Sequence, residues 1–159
     1  MKILLLSDSH GNIYSIHRAI DKNMDADIII HLGDCIKDIL RVRDQYPDKR
    51  FEFVAGNNDW ASESIREKVL DVGDIKIMLT HGHIYNVKFS YGSLISKARS
   101  IGADAVFFGH THRTEELYDE GLLLLNPGSI GLGASADRPT YCIVDIEGTM
   151  IKVKFHSIL

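Results

Sequence analysis

The sequence contains little cysteine. Its two cysteines, Cys35 and Cys142, lie far apart among 159 residues and form no Cys-x-x-Cys pair. This spacing predicts neither a disulfide framework nor a cysteine-based metal site. Reduced thiols in a cytoplasmic protein are the simplest interpretation.

Long apolar runs and an excess of positive charge are also missing. No apolar run is long enough to cross a bilayer, and the run within residues 1–6 is too short for a signal peptide. The formal net charge of −4 argues against a nucleic-acid groove, which needs clustered lysine and arginine. The basic residues Lys37, Arg41 and Arg43 fit the solvent-facing side of a helix. With 45% hydrophobic residues, the chain can bury the core of a single domain spanning residues 1–159.

The order of apolar and polar segments predicts an α/β protein. Buried strands alternate with helices in the first third, and each strand ends in a polar loop: strands 2–7, 28–32 and 50–54, helices 13–24 and 36–46. This alternation indicates parallel strands whose loops share one edge. The remaining residues predict hairpins, one helix and one buried strand: hairpins 67–79, 115–125 and 140–156, helix 94–101 and strand 105–108. Two mixed β-sheets packed face to face, with helices outside, would use all of these elements.

Side chains that can bind a metal follow the predicted strand ends. His110 and His112 follow strand 105–108 at a spacing that puts both imidazoles on one side of an extended chain. A polar loop that happens to hold two histidines is the alternative. Ligands of open α/β sheets bind beyond the carboxyl ends of the strands. Seven oxygen or nitrogen donors fall at such ends: Asp8, His10, Asp34, Asn57, His81, His110 and His112.

The composition of this donor set suggests two divalent ions. A mixture of nitrogen and oxygen donors suits manganese, iron, zinc, cobalt or nickel. Seven donors exceed the needs of one tetrahedral ion. Two ions that share one bridging carboxylate would account for all seven.

Five short motifs resemble those of the calcineurin-like metallophosphoesterases. They occur in the family's order, each after a strand: Asp8-x-His10, Gly33-Asp34, Gly56-Asn57, His81-Gly82-His83 and Gly109-His110-Thr111-His112. The chain length and the Asn-Pro-Gly-Ser loop at residues 126–129 resemble the small YfcE-type phosphodiesterase branch. The resemblance implies a two-sheet sandwich flanked by helices. It also implies a ligand partition: one ion on Asp8, His10 and His112, the other on Asn57, His81 and His110, with Asp34 bridging them.

The resemblance further implies hydrolysis of a small phosphodiester. A hydroxide shared by the two ions would attack in line, with no covalent enzyme intermediate. Manganese is the preferred ion in this interpretation, with nickel, iron, zinc and cobalt as alternatives. The chain is expected to act in the cytoplasm without a membrane, and both a homodimer and a homotetramer are open.

One position departs from the family pattern. Many relatives have a histidine where this chain has Asn58, and an amide cannot protonate an alkoxide leaving group. We therefore consider His83 as the acid, with a supporting or solvent-facing histidine as the alternative. Asp59 is expected to orient a ligand loop or His10. Trp60 either walls the site or packs in the core, and these two interpretations are evenly balanced.

Other assignments stay open at this stage. His31 is expected to be a packed histidine or a support for the ligands, while Ser9, Asn12 and Arg138 could contact the substrate phosphate. Specificity is expected from three loops, around Trp60 and at residues 83–90 and 131–138. The alternative functions are a phosphomonoesterase or nucleotidase on the same site, and a non-catalytic scaffold like the retromer subunit that shares this fold and has lost part of the ligand set.

Overall fold

The computed structural model describes residues 1–60, 65–131 and 138–158. Within these ranges the chain forms two five-stranded β-sheets and three α-helices. The strands are β1 (Lys2–Leu6), β2 (Ile28–His31), β3 (Arg50–Phe53), β4 (Glu67–Val72), β5 (Ile75–Thr80), β6 (Ala105–Phe107), β7 (Thr114–Asp119), β8 (Leu122–Pro127), β9 (Thr140–Glu147) and β10 (Met150–Ser157). The helices are α1 (Ile13–Asp21), α2 (Ile36–Arg43) and α3 (Gly92–Ser100), and a 3₁₀ turn spans His83–Tyr85.

The first sheet has the strand order β10-β9-β1-β2-β3. Strands β1, β2 and β3 run parallel, and the hairpin β9–β10 adds antiparallel to β1. Because α1 and α2 connect the three parallel strands, the loops after these strands open on one edge of the sheet. The sequence-based expectation of a shared edge is confirmed for this sheet.

The second sheet has the order β4-β5-β6-β8-β7. Its three central strands β5, β6 and β8 run parallel, and β4 and β7 close the two hairpins as antiparallel edge strands. The turns after β5 and β6 carry the histidine motifs. This arrangement puts both motifs at the carboxyl ends of neighbouring strands.

The hydrophobic core lies between the sheets. Alternate residues of β1 show how the layers form: Ile3 and Leu5 pack against the second sheet, while Leu4 and Leu6 pack against α1 and α2. Helix α3 covers the outer face of the second sheet. Buried on both faces, β1 therefore carries a continuous apolar run rather than an alternating one. The predicted two-sheet sandwich flanked by helices is confirmed.

Both early helices end sooner than the sequence pattern predicts. Helix α1 stops at Asp21 because the side chain of Asn23 donates a hydrogen bond of 2.8 Å to the carbonyl of Ala19. Helix α2 stops at Arg43, and the chain then turns into Pro47, which disfavours helix at the preceding residue. No helix in the described ranges has the length and apolar character needed to cross a membrane.

Candidate metal centre

The predicted donors sit on turns with unusual backbone geometry. Asp8, His10, Asp34, His110 and His112 all have positive φ, between 45° and 69°. This region is uncommon for residues other than glycine and costs about 1–3 kcal/mol per residue unless the surroundings enforce it. The turns after β1, β2 and β6 are therefore held in shapes that aim side chains at one place.

Asp8, His10 and His112 form the first group. One ligand atom from each lies within 4.8 Å of the others. His112 Nε2 is 3.0 Å from Asp8 Oδ1 and 3.3 Å from His10 Nε2. Asp8 Oδ2 accepts hydrogen bonds from Ser7 Oγ at 2.5 Å and from the backbone N–H of His110 at 3.1 Å. The other carboxylate oxygen, Oδ1, is thus left to face the two histidines.

The Asp8 carboxyl is held in its ionised form. Burial would raise the pKa of Asp8, but the hydrogen bond with His112 and the nearby His81 outweigh burial and lower it. The deprotonated carboxylate is the form that binds a metal.

Asp34, His81 and His110 form the second group, also within 4.8 Å of one another. The Nδ1 of the fully buried His81 lies 2.8 Å from the carbonyl oxygen of Leu32, so Nδ1 carries the proton and donates it. Nε2 then points into the site, 3.4 Å from Asp34 Oδ1 and 3.8 Å from Asp8 Oδ1.

This buried nitrogen tests whether the residues fit a metal ion. His81 Nε2 has no hydrogen-bond partner among the described residues. Asp34 and Asp8 raise the pKa of His81 despite its burial, so Nε2 requires a positive charge, either its own proton or a metal ion in its place. The hydrogen bond from Nδ1 to a backbone carbonyl is also the usual support for a metal-binding histidine. The donor set therefore fits a divalent cation.

Asp34 belongs to the second group and also lies close to the first. Its Oδ2 is 3.7 Å from His10 Nε2, and its Oδ1 is 3.4 Å from His81 Nε2. Burial would raise the pKa of Asp34, but His81 and the hydrogen bonds from Asn58 lower it well below its usual range. Burial first, and then the nearby His81, lower the pKa of His110 to about 4, so this imidazole is neutral at pH 7 and able to bind a metal.

Asn58 and Asp59 both form hydrogen bonds with Asp34. The backbone N–H of Asn58 donates to Asp34 Oδ1 at 3.0 Å, and its side-chain Nδ2 donates to Oδ2 at 2.7 Å. Asp59 accepts hydrogen bonds from the backbone N–H groups of Asp34, Gly56 and Ile36 at 2.8–2.9 Å. This geometry favours the orienting role for Asp59, directed at the Asp34 loop rather than at His10.

The roles of Asn57 as a metal ligand and of His83 as an acid stay predictions. The exposed Asn57 lines a cavity of about 390 Å³ together with His83, Arg66 and Trp60. The His83 ring lies 5.5 Å from the His81 ring, centroid to centroid. Burial and then the nearby His81 lower the pKa of His83, so the ring is neutral near pH 7. The cavity position fits a group that exchanges a proton with substrate.

Burial decides the assignments of Ser9 and Trp60, and a hydrogen bond gives Asn12 a structural role. Ser9 is buried, and its hydroxyl donates to Asp38 Oδ2 at 2.7 Å, so a direct contact with substrate phosphate was a wrong expectation. Asn12 caps α1 through a 3.1 Å hydrogen bond from the backbone N–H of Ser15. Trp60 is 89% exposed, which excludes packing in the core. Residues 132–137, within one expected specificity loop, lie outside the described residues.

Sequence reasoning missed Asp38. Its carboxylate accepts from the Ser9 hydroxyl and, at 2.8 Å, from the backbone N–H of Gly11, and Ser9 Oγ in turn lies 3.1 Å from Nε2 of the buried His31. The network therefore supports the loop that carries His10. Acidic residues are common in the first turn of a helix, where they interact favourably with the helix dipole. The sequence therefore gave no sign that Asp38 supports the loop of His10.

The Asn-Pro-Gly-Ser loop holds the last histidine motif in place. The side-chain amide of Asn126 donates to the carbonyl of Gly109 at 2.9 Å and to Thr111 Oγ1 at 3.0 Å. Ser129 Oγ donates to the carbonyl of Asp8 at 2.8 Å. This loop thus ties the turn after β6 to the turn after β1.

Comparisons with known proteins point to one family. A family model for the calcineurin-like phosphoesterase superfamily domain matches residues 1–149. The probable metallophosphoesterase YsnB of Bacillus subtilis is 31% identical over 159 residues, which cover 99% of this chain and 91% of that protein. The phosphodiesterase MJ0936 of Methanocaldococcus jannaschii is 30% identical over 168 residues, with coverage of 92% and 94%.

Solved structures show the same fold. A Streptococcus pneumoniae protein described as a predicted phosphoesterase superimposes with a TM-score of 0.82 at 28% identity, covering 98% of this chain and 88% of that one. Zinc-complexed Vps29 from Entamoeba histolytica gives a TM-score of 0.74 at 23% identity, covering 99% and 98%, and this likeness concerns the fold alone. From the family match over residues 1–149 and the relatives above 30% identity, the chain belongs to the calcineurin-like phosphoesterase superfamily.

Proposed function

We propose that this chain is a metal-dependent phosphodiesterase that hydrolyses a small phosphodiester. The observation that carries the proposal is the pair of donor groups that meet at Asp34, with the buried Nε2 of His81 aimed between Asp34 and Asp8. When bound, two divalent ions supply an activated water as nucleophile and stabilise negative charge on the phosphoryl group. Manganese is the ion we propose.

The charge of the donor set suits an anionic substrate. Asp8 and Asp34 contribute two negative charges, while Asn57 and the His110 imidazole are neutral. A third carboxylate in place of Asn57 would weaken the attraction for phosphate. Arg66 lines the same cavity as Asn57, and its guanidinium can donate two parallel hydrogen bonds to phosphate oxygens.

The supporting role of Asn58 favours a diester over a monoester with a poor leaving group. Its backbone and side-chain N–H groups both donate to Asp34, and an amide N–H is too weak an acid to protonate a leaving alkoxide. We propose His83 as the group that protonates the leaving oxygen, and because its pKa is lowered, only its protonated fraction can act, so cleavage of a poor leaving group should slow as pH rises. A relative named as a phosphodiesterase, at 30% identity, supports the same preference.

Hydrolysis of bis-p-nitrophenyl phosphate and p-nitrophenyl phosphate, measured metal by metal, tests the proposal. We expect manganese-dependent cleavage of the diester, inhibition by a chelator and loss of activity in His110→Ala. The matched control is His17→Ala, because His17 lies on α1 and contacts Tyr46. Metal-dependent cleavage of the monoester alone would instead identify a phosphomonoesterase, and no cleavage with any ion would favour the scaffold.

A leaving group of high pKa tests His83 separately. His83→Ala should slow cleavage of an alkyl diester far more than cleavage of the p-nitrophenyl diester, because p-nitrophenolate needs no protonation. Equal rates of the variant and the unmodified enzyme on the alkyl diester would remove His83 from the mechanism.

A further inference from the structure

A second cavity, of about 500 Å³, lies beside the candidate metal centre. Its walls come from the start of α2 and from the loop after β3: Cys35, Ile36, Lys37, Leu40, Asn58, Asp59 and Trp60. Aliphatic and aromatic side chains dominate these walls, and the volume is that of ordinary small-molecule sites. None of the chemistry proposed above uses this space.

Asn58 connects the cavity to the centre. It lines the cavity, and its side-chain amide donates to Asp34 Oδ2 at 2.7 Å. A group bound in the cavity is therefore separated from Asp34 by the width of one side chain. Trp60 also lines the polar cavity that contains Arg66 and His83. The indole thus stands between a polar space next to the donors and an apolar space next to α2.

The exposure of Trp60 is the most informative feature of this cavity. A large aromatic side chain that is 89% exposed leaves a free face on which a flat ring can stack. The Asp59 carboxylate is engaged with three backbone N–H groups. Lys37 adds an exposed ammonium group that can meet a polar ring edge.

We propose that this cavity binds a planar aromatic ring carried by an alcohol or phenol that is esterified to the substrate phosphate, with the ring stacked on Trp60. The inference rests on the proposed function and names its substrate class: a phosphodiester that carries a nucleobase or another flat ring. The phosphoryl group faces Arg66 and Asp34, and the ring lies against Ile36 and Leu40. Stacking of one base on an aromatic side chain strengthens binding by about tenfold or more.

Fluorescence can report ring binding directly, because Trp60 is the single tryptophan of the chain. The protein with manganese is titrated with AMP, with phenyl phosphate and with ribose 5-phosphate, which has no ring. We expect saturable quenching by a ring-bearing ligand and at least about tenfold weaker binding of ribose 5-phosphate. Tighter binding of AMP than of phenyl phosphate identifies a nucleoside ester, and the reverse order identifies a simple aryl ester.

Two variants separate stacking from general effects on the fold. Calorimetric titration of Trp60→Ala should show AMP binding weakened about tenfold and ribose 5-phosphate binding unchanged. The matched control is Phe89→Ala, because Phe89 is 90% exposed on the loop after the 3₁₀ turn and should leave both affinities unchanged. If Trp60→Ala does not fold, the fluorescence titration of the unmodified protein still tests whether the cavity binds a ring.

The ring site and the proposed function fail in different ways. Equal binding of AMP, phenyl phosphate and ribose 5-phosphate, or unchanged AMP binding in Trp60→Ala, would overturn the ring site even if the diester is hydrolysed. Ring-dependent quenching without any metal-dependent hydrolysis would overturn the proposed activity and keep the ring site.

Discussion

Gly56 is the position where an added methyl group should do the most damage to the candidate centre. A Cβ at this residue would lie 2.2 Å from Asp34 Oδ1 and 2.5 Å from the backbone nitrogen of Asp34. Ordinary contacts between such atoms are roughly 1 Å longer. The Asp34 carboxylate cannot move away cheaply, because Asn58 donates to both of its oxygens and Asp59 accepts from its N–H.

We therefore expect Gly56→Ala to weaken both the fold and the metal site. Overpacking of this kind costs about 1–3 kcal/mol. At about 2 kcal/mol, a domain of this size should lose about 4–8 °C in Tm. Displacement of the Asp34 loop should lower manganese affinity by about 10–100-fold, the range seen when the partners of metal ligands are disturbed. Differential scanning calorimetry and isothermal titration with manganese measure the two effects.

Gly92→Ala is the matched control. Gly92 begins α3, and the nearest atom to its added Cβ is Ser90 Oγ at 3.9 Å. Alanine favours helix over glycine, so the control should keep its manganese affinity and keep or slightly raise its Tm. The close packing of Gly56 on Asp34 would be refuted if Gly56→Ala matched Gly92→Ala in both measurements.

Three further perturbations test the site and its supports. Asp59→Asn replaces an acceptor oxygen with a donor amide opposite the N–H group of Asp34 or of Ile36. Calorimetry should then show a manganese affinity about tenfold lower, while the circular dichroism spectrum stays unchanged. Burial lowers the pKa of His31 from 6.5 to about 4, so folding stability should be lost as pH falls from about 6.5 towards 4. From this pKa shift, urea titrations should show the free energy of unfolding fall by about 2 kcal/mol between pH 7 and pH 5, a loss that His31→Gln should lack. Equal pH dependence of stability in both proteins would refute the lowered pKa of His31. Removal of manganese by a chelator, from about 100 times its Kd, should lower Tm by about 5–11 °C, and an unchanged Tm would argue against metal binding by the folded state.

The motifs and most of the fold could be predicted because their signals are local. Strand β1 reads as buried because its apolar run is continuous, and the run and the polar turn after it are contiguous in the chain. The turn that carries His110 and His112 likewise directly follows an apolar run in the sequence. Helix ends were less accurate: α1 stops at Asp21 because of a side-chain hydrogen bond from Asn23, which no periodic pattern encodes.

The sequence by itself determined which residue types follow which strands, and hence the family and the set of candidate donors. The family resemblance also implied how those donors divide, and only the tertiary structure decided which contacts support them. The Leu32 carbonyl selects the tautomer of His81 from 49 positions away, and Asp8 meets His112 from 104 positions away. Such pairings, like the exposure of Trp60, depend on how two sheets pack, and packing is set by contacts between residues remote in the chain.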